Sequence, residues 1–252
     1  MLYYEIKGEG DPIVFLHGYL ENMKMWRVFT EELSKDHQVI LIDLPGHGKS
    51  ESYGKIHTME LMAEKVNEVL EELRIPETIM VGHSMGGYVT LAFAELFPEK
   101  LKAFILQNSS SLPDSEDKKT QRLKAVETAH KNLGTLIKMS IPSLFAEKNL
   151  DSLKEEIEFA KRLAKETSLE GVEAALRGMR ARPDRTEILE NFERKIGILI
   201  GKYDKAVNPE DLKKIIPRKE NISIKELETG HMSHLEAPKE TLAFITDFLK
   251  KE

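Results

Sequence analysis

Short apolar runs alternate with stretches of helical spacing along most of the chain. Leu2-Tyr3-Tyr4-Glu5-Ile6 alternates loosely and predicts a strand, and Gly8-Glu9-Gly10-Asp11-Pro12 predicts a turn. Ile13-Val14-Phe15-Leu16 is continuously apolar, the pattern of a strand buried on both faces. His17-Gly18-Tyr19-Leu20 follows as a loop. A helix is predicted over about residues 22–33, with Met25, Val28, Phe29 and Leu33 on its inner side. Gln38 to Ile42 reads as the next buried strand, running into the loop Asp43-Leu44-Pro45-Gly46-His47-Gly48-Lys49-Ser50. Met59, Met62, Val66, Val69, Leu70 and Leu73 recur at helical spacing. Then come a strand at Thr78-Ile79-Met80-Val81, a helix from Tyr88 to Phe97 and a strand at Ala103-Phe104-Ile105-Leu106.

Strand and helix in strict alternation imply an α/β fold: a mostly parallel sheet with right-handed crossovers and helices on both faces. The rhythm breaks at Leu112. From there to Phe192 only helices are predicted, with Leu153, Ile157, Ala160 and Leu163 in one stripe and Leu123, Val126, Leu133 and Leu136 in a less regular one. Both stripes are expected to pack as core. The sheet resumes at Ile196 to Ile200. A helix from Pro209 to Ile216, an alternating strand from Ile222 to Leu227 and a helix from Pro238 to Leu249 close the pattern. The expected organisation is a core of residues 1–111 and 193–252 with a helical cap of residues 112–192. Ligands in such sheets bind beyond the carboxyl ends of the strands, and the insertion starts on that rim. It is therefore expected to be a lid; the other reading is a second domain unrelated to catalysis.

The chain has 252 residues, 40% hydrophobic and 32% charged, as expected of a globular protein. A net charge of −6 with no basic, aromatic-rich cluster gives no support to nucleic-acid or membrane-surface binding. The absence of cysteine removes disulfides, thiolate catalysis and Cys-ligated metals. No signal-peptide pattern opens the chain and no apolar run approaches a membrane span, so a cytoplasmic location is expected.

The chemistry centres on Gly82-His83-Ser84-Met85-Gly86-Gly87, which lies between a strand and a helix. This is the G-x-S-x-G nucleophile elbow in the context that gives the motif meaning. The sharp turn strains Ser84, and Gly82 and Gly86 let strand and helix close around it. A serine hydroxyl needs a base, and the base an orienting acid. Asp204, in Gly201-Lys202-Tyr203-Asp204, and His231, in Thr229-Gly230-His231, each follow a later strand. His234 is the rival base. The strand ending near Leu106 is followed by Asn108 and serines, with no carboxylate before Asp114, and Asp184 is expected to cap a helix.

Taken together, these motifs make the chain resemble the α/β-hydrolase superfamily along nearly its full length, in an esterase- and lactonase-like branch with a helical lid. The resemblance rests on His17-Gly18, Asp43-x-Pro45-Gly46-His47-Gly48-x-Ser50, Gly82-x-Ser84-x-Gly86-Gly87, Gly201-x-x-Asp204 and Gly230-His231 with Glu236-Ala237-Pro238. Members usually open with a two-stranded hairpin, and the few residues before Ile13 leave room for one strand only. The resemblance implies a Ser84, Asp204, His231 triad and an oxyanion hole from the backbone N–H groups of Tyr19 and Met85. His17, His47 and His83 are expected to be packed, hydrogen-bonded residues. No metal-binding spacing is present, and neither metal nor cofactor is expected.

A serine nucleophile argues against epoxide opening and halide displacement, which the family performs with aspartate at this position. The expected reaction is hydrolysis of a small or medium carboxylic ester through an acyl-enzyme. Apolar pocket candidates are Leu20, Met85, Met139, Phe145, Met179 and Met232 together with Tyr19. The chain also resembles lactonases of aromatic catabolism and methyl-ester esterases of biotin synthesis. Acyl transfer, perhydrolysis and a non-catalytic ligand-binding role stay open at this point, and the sequence leaves the oligomeric state undefined.

Overall fold

The computed structural model describes residues 1–250. In chain order they form β1 (Tyr4–Lys7), β2 (Asp11–Leu16), α1 (Arg27–Leu33), β3 (His37–Ile42), α2 (Met59–Glu72), β4 (Thr78–His83), α3 (Met85–Leu96) and β5 (Leu101–Gln107). Four helices intervene before the next strand: α4 (Glu116–Ser143), α5 (Lys154–Ala164), α6 (Leu169–Ala181) and α7 (Thr186–Asn191). The chain closes with β6 (Lys195–Gly201), α8 (Pro209–Ile215), β7 (Ile222–Leu227), α9 (Ser233–Glu236) and α10 (Pro238–Lys250).

The strands make one seven-stranded sheet in the order β1-β3-β2-β4-β5-β6-β7. Only β1 runs antiparallel, with Tyr4 opposite Ile42. One strand thus precedes the first buried one. The continuously apolar strands behave as the pattern requires, because successive side chains point to opposite faces and both faces are covered. Val14, Leu16, Ile40, Ile42, Met80 and Phe104 pack with α2 and α3. Ile13, Phe15, Val39, Leu41, Val81 and Ile105 pack on the other side with Trp26, Phe29, Ile245 and Phe248. β4 lies at the centre of the sheet, so the loop after it is held from both sides.

Two predicted stripes are corrected. Val28 is 62% exposed rather than inward. Residues Met23–Trp26 wind as a tighter 3-10 turn, capped by Asn22, and this rotates the α-helix that follows. Leu123 is exposed while Val126 and Leu136 are buried. The helix α4 leaves helical backbone geometry at Asn132, so spacing counted across that residue does not define one face. No helix among the described residues is long and apolar enough to cross a membrane.

Candidate active site

Ser84 stands between the last residue of β4 and the first of α3, with φ 50° and ψ −113°. That backbone conformation costs a non-glycine residue on the order of 1–3 kcal/mol and persists only where neighbours enforce it. Here they do: the Ser84 N–H donates to the Gln107 carbonyl at 3.0 Å, and Ser109 Oγ donates to the Ser84 carbonyl at 2.8 Å. A Cβ on Gly82 would stand 2.4 Å from the Gly86 carbonyl oxygen, so only glycine permits this closeness of strand and helix.

Ser84 Oγ lies 2.8 Å from His231 Nε2, and His231 Nδ1 lies 2.7 Å from Asp204 Oδ2. With Nδ1–H donating to a carboxylate, the lone pair of the neutral ring sits on Nε2 and faces the serine. Asp204 Oδ1 accepts the Ala206 and Val207 N–H groups, each at 2.8 Å, and Oδ2 also accepts from Asn108 Nδ2 at 3.2 Å. Burial pushes the Asp204 carboxyl up, but His231 and these donors outweigh it and hold it below the usual carboxylate range. The His231 loop is fixed by Glu236, whose Oε1 accepts the Gly230 N–H at 2.8 Å. Its Oε2 accepts Ala146 N–H and Asn149 Nδ2 at 2.9 Å each. The His231 N–H donates to the Leu144 carbonyl at 2.7 Å.

A second network lies beneath the elbow. Glu21 Oε2 accepts the Gly18 N–H at 2.8 Å and faces His83 Nδ1 at 2.7 Å. His83 Nε2 lies 2.9 Å from the His231 carbonyl oxygen. Both ring nitrogens of His83 therefore meet acceptors, both must carry hydrogen, and the ring is an imidazolium. Burial alone would lower its pKa; the Glu21 charge and the two hydrogen bonds raise it overall. Burial pushes Glu21 up, and His83 and His234 together hold it well below its ordinary value. Gly18 has no room for a side chain, since a Cβ would stand 2.4 Å from Glu21 Oε2 and 3.2 Å from Ser84 Cβ. His234, the rival base, is buried with Nε2 3.3 Å from Glu21 Oε1, so it faces Glu21, not the serine. By donor type Glu21, His83 and His234 could hold a cation, their ligand atoms lying within 4.8 Å of one another. The hydrogens that His83 requires occupy that same space.

His17 and His47 hold loops, as expected of them. His17 Nδ1–H donates to the Gly18 carbonyl and its Nε2 accepts the Leu44 N–H at 2.9 Å. His47 Nδ1 donates to the Pro45 carbonyl at 3.0 Å, and burial lowers its pKa to about 3. Asp184 accepts the Thr186 N–H at 2.8 Å at the start of α7.

Above Ser84 is a cavity of about 130 Å³ bounded by Tyr19, Tyr88, Leu144, Met179 and Met232. Of the pocket candidates Tyr19, Met179 and Met232 line this cavity, and four others do not. Leu20, Met85 and Phe145 are buried in the main core. Met139 is 69% exposed. It lies two residues from both Ile137 and Ile141, which take the inner face of α4, and about 200° of helical rotation turns it to water. Met85 opens α3, so its N–H has no partner within the helix and is available beside Ser84.

The alpha/beta hydrolase fold family matches residues 11–238 of the chain. The chain is an alpha/beta hydrolase. Among solved structures, a thermophilic esterase from Thermogutta terrifontis, with malate bound, is 30% identical, with 99% of this chain and 93% of that one aligned at a TM-score of 0.93. An enol-lactonase from Burkholderia xenovorans shares the fold at 22% identity, TM-score 0.92, over 99% of this chain and 96% of its own. A pimeloyl-[acyl-carrier protein] methyl ester esterase from Klebsiella pneumoniae is 34% identical over 110 residues, 43% of this chain. The hydrolase spans 41% of that relative's length. It spans 66% of a dihydrolipoyllysine-residue acetyltransferase component of an acetoin cleaving system from Pseudomonas putida, at 29% identity over 99% of this chain.

Sequence reasoning missed four residues of this hydrolase site. Glu21 carried a faint signal, three residues after Gly18, at the spacing of a side chain folding back on a loop N–H. Asn108 was read only as the lack of a carboxylate, yet it donates to Asp204 and to the Gly230 carbonyl. Lys118 and Arg122 line the cavity from α4 at an i,i+4 spacing that puts them on one face.

Proposed function

We propose that this hydrolase is a serine esterase that cleaves small to medium carboxylic esters through an acyl-enzyme. The observation that carries the reading is the unbroken hydrogen-bonded chain from Ser84 through His231 to Asp204, opening on a partly apolar cavity. In this mechanism Ser84 Oγ attacks the ester carbonyl as His231 Nε2 takes its proton. Asp204 stabilises the imidazolium and keeps Nδ1 protonated. The backbone N–H groups of Met85 and Tyr19 receive the oxyanion, each worth roughly 3 kcal/mol in the transition state. His231 then returns the proton to the leaving alcohol. Water, activated by the same nitrogen, releases the acid and restores Ser84. Residues of the insertion act as a cap: Leu144 and Met179 shape the apolar side of the pocket, and the small volume favours a short substrate.

The test is hydrolysis of p-nitrophenyl acetate through octanoate. Wild type is expected to turn over the short esters, and Ser84→Ala to lose about three orders of magnitude or more in kcat. Equal rates in the two proteins would remove the esterase reading.

A further inference from the structure

The charges that line the cavity do not balance. Asp114 is buried and shared by two guanidiniums: Arg122 through Nε and Nη2, and Arg182 through Nη1 at 2.7 Å. Arg182 uses three of its five N–H donors, since it also donates to the Leu112 and Met179 carbonyls, and it lies 4.0 Å over the Tyr88 ring. Arg122 uses two of its five N–H donors on Asp114. Lys118 donates to the Ala206 carbonyl and has no carboxylate partner among the described residues. The other carboxylate at the cavity, Glu21, is committed to His83. Three cations thus meet one anion, in a protein whose net charge is −6. The Tyr19 hydroxyl, buried at the same cavity, has no hydrogen-bond partner. The cavity adjoins a second space of about 240 Å³ that shares Tyr88, Lys118 and Ala206 with it; of the further charges there, Lys205 pairs with Glu147 and Asp211 with Lys214, so neither alters the surplus at Lys118 and Arg122. Spare N–H donors of Arg122 and Lys118, together with an idle phenol, are what a bound oxyanion would satisfy.

We propose that the substrate of this site carries a carboxylate besides its ester bond, held by Lys118 and Arg122 with the Tyr19 hydroxyl as a third donor. The proposal rests on the esterase reading and narrows it to anionic esters. The apolar wall of Leu144, Met179 and Met232 receives the carbon chain between the two groups. The charge is small and compact, because the space at the cations is. Lys118 and Arg122 are specificity residues here: they touch a remote part of the substrate, and their effect falls on kcat/KM for charged against neutral esters.

The experiment measures acid release from monoethyl glutarate and its neutral counterpart diethyl glutarate. O-acetylglycolate and ethyl acetoxyacetate place the carboxylate on the alcohol side instead. Wild type is expected to favour one of the two anions over its neutral counterpart by at least about tenfold in kcat/KM, the scale of one or two charged hydrogen bonds. The favoured anion tells which side of the ester faces the cations. Lys118→Gln and Arg122→Gln are each expected to erase most of that ratio, mainly through KM, while Lys124→Gln, on an exposed position of α4, leaves it intact. Arg122→Gln also loosens Asp114, so Lys118→Gln is the decisive variant. Neutral esters hydrolysed as well as both anions would overturn the proposal, as would a ratio that survives in Lys118→Gln. Ser84-dependent turnover of p-nitrophenyl acetate separates the two failures. Where it persists without anion preference, the esterase reading stands and this narrowing of it falls. Where no ester is cleaved in a Ser84-dependent way, both fall together.

Discussion

Beneath Ser84, Glu21 and His83 form a closed pair of opposite charges; on the side of the insertion, Asp114 is shared by Arg122 and Arg182 with Lys118 close by. The lower pair is buried, whereas the upper group is buried at Asp114 and Arg182 and half-buried at Lys118 and Arg122. They differ in stoichiometry. The lower pair is neutral, and every one of its contacts is to the protein: the loop after β2 through Gly18, the elbow through His83, the loop after β7 through the His231 carbonyl. The upper group has a surplus of positive charge and unused donors. A balanced network holds geometry, whereas an unbalanced one next to a cavity is completed by something that arrives.

The comparison breaks most visibly at Glu21. Glu21→Gln leaves the His83 imidazolium buried without its counter-charge, and breaking such a pair costs about 3–5 kcal/mol. Urea denaturation measures the loss, and kcat on p-nitrophenyl acetate is expected to fall with it, because one carboxylate aligns three loops. In the double variant Glu21→Gln, His83→Asn the stability loss is smaller than the sum of the two single losses. Strict additivity would mean that the two side chains do not act as a pair.

A smaller effect is expected at Asp114. Asp114→Asn removes the one anion of the upper group, but Lys118 and Arg122 can be reached by solution ions, so the loss is about 1–3 kcal/mol. Added sulfate is expected to recover part of it relative to wild type in the same salt, and to recover nothing in Glu21→Gln, whose site is closed. Equal recovery in both would erase the distinction between an open and a sealed group.

The smallest effect is in pH. The raised His83 pKa means that its pairing with Glu21 stabilises the fold in full below the ordinary histidine value and is lost as pH rises through the higher folded value. The Asp114 pKa is lowered: burial pushes it up, and Arg122 and Arg182 more than reverse that. Its contribution is present above the ordinary carboxylate range and disappears only as pH falls through the lower folded value. The penalty of Glu21→Gln should therefore shrink between pH 6 and 9, by at most about 1.4 kcal/mol for each unit of pKa difference, while that of Asp114→Asn stays level. Parallel curves for the two variants would contradict the assignment of His83 as the imidazolium.

What the sequence discloses about this site follows the range of the interactions. Ser84 was legible because a glycine-flanked serine between strand and helix is a local event, settled within six residues. Asp204 and His231 were legible because strands declare where they end, and a parallel sheet brings those ends to one rim. His83 was legible as a packed residue but not as a cation, since its partner lies 62 positions away. Lys118 and Arg122 read as an ordinary solvated helix face until the insertion is folded over the rim. Val28 and the stripe through Leu123 were misjudged for a local reason of a different kind. Helical periodicity assumes an uninterrupted α-helix, and a 3-10 turn before the first and a break at Asn132 within the second reset the phase.

The Glu236 carboxylate grips the backbone on both sides of one boundary, Gly230 beside His231 and Ala146 in the insertion. A door hung there cannot swing without dragging its own hinge pin, the imidazole, out of line. On the opposite side of the chamber the Lys118 ammonium bridges the insertion to the Ala206 carbonyl, so a ligand that claims this cation also loosens that second fastening.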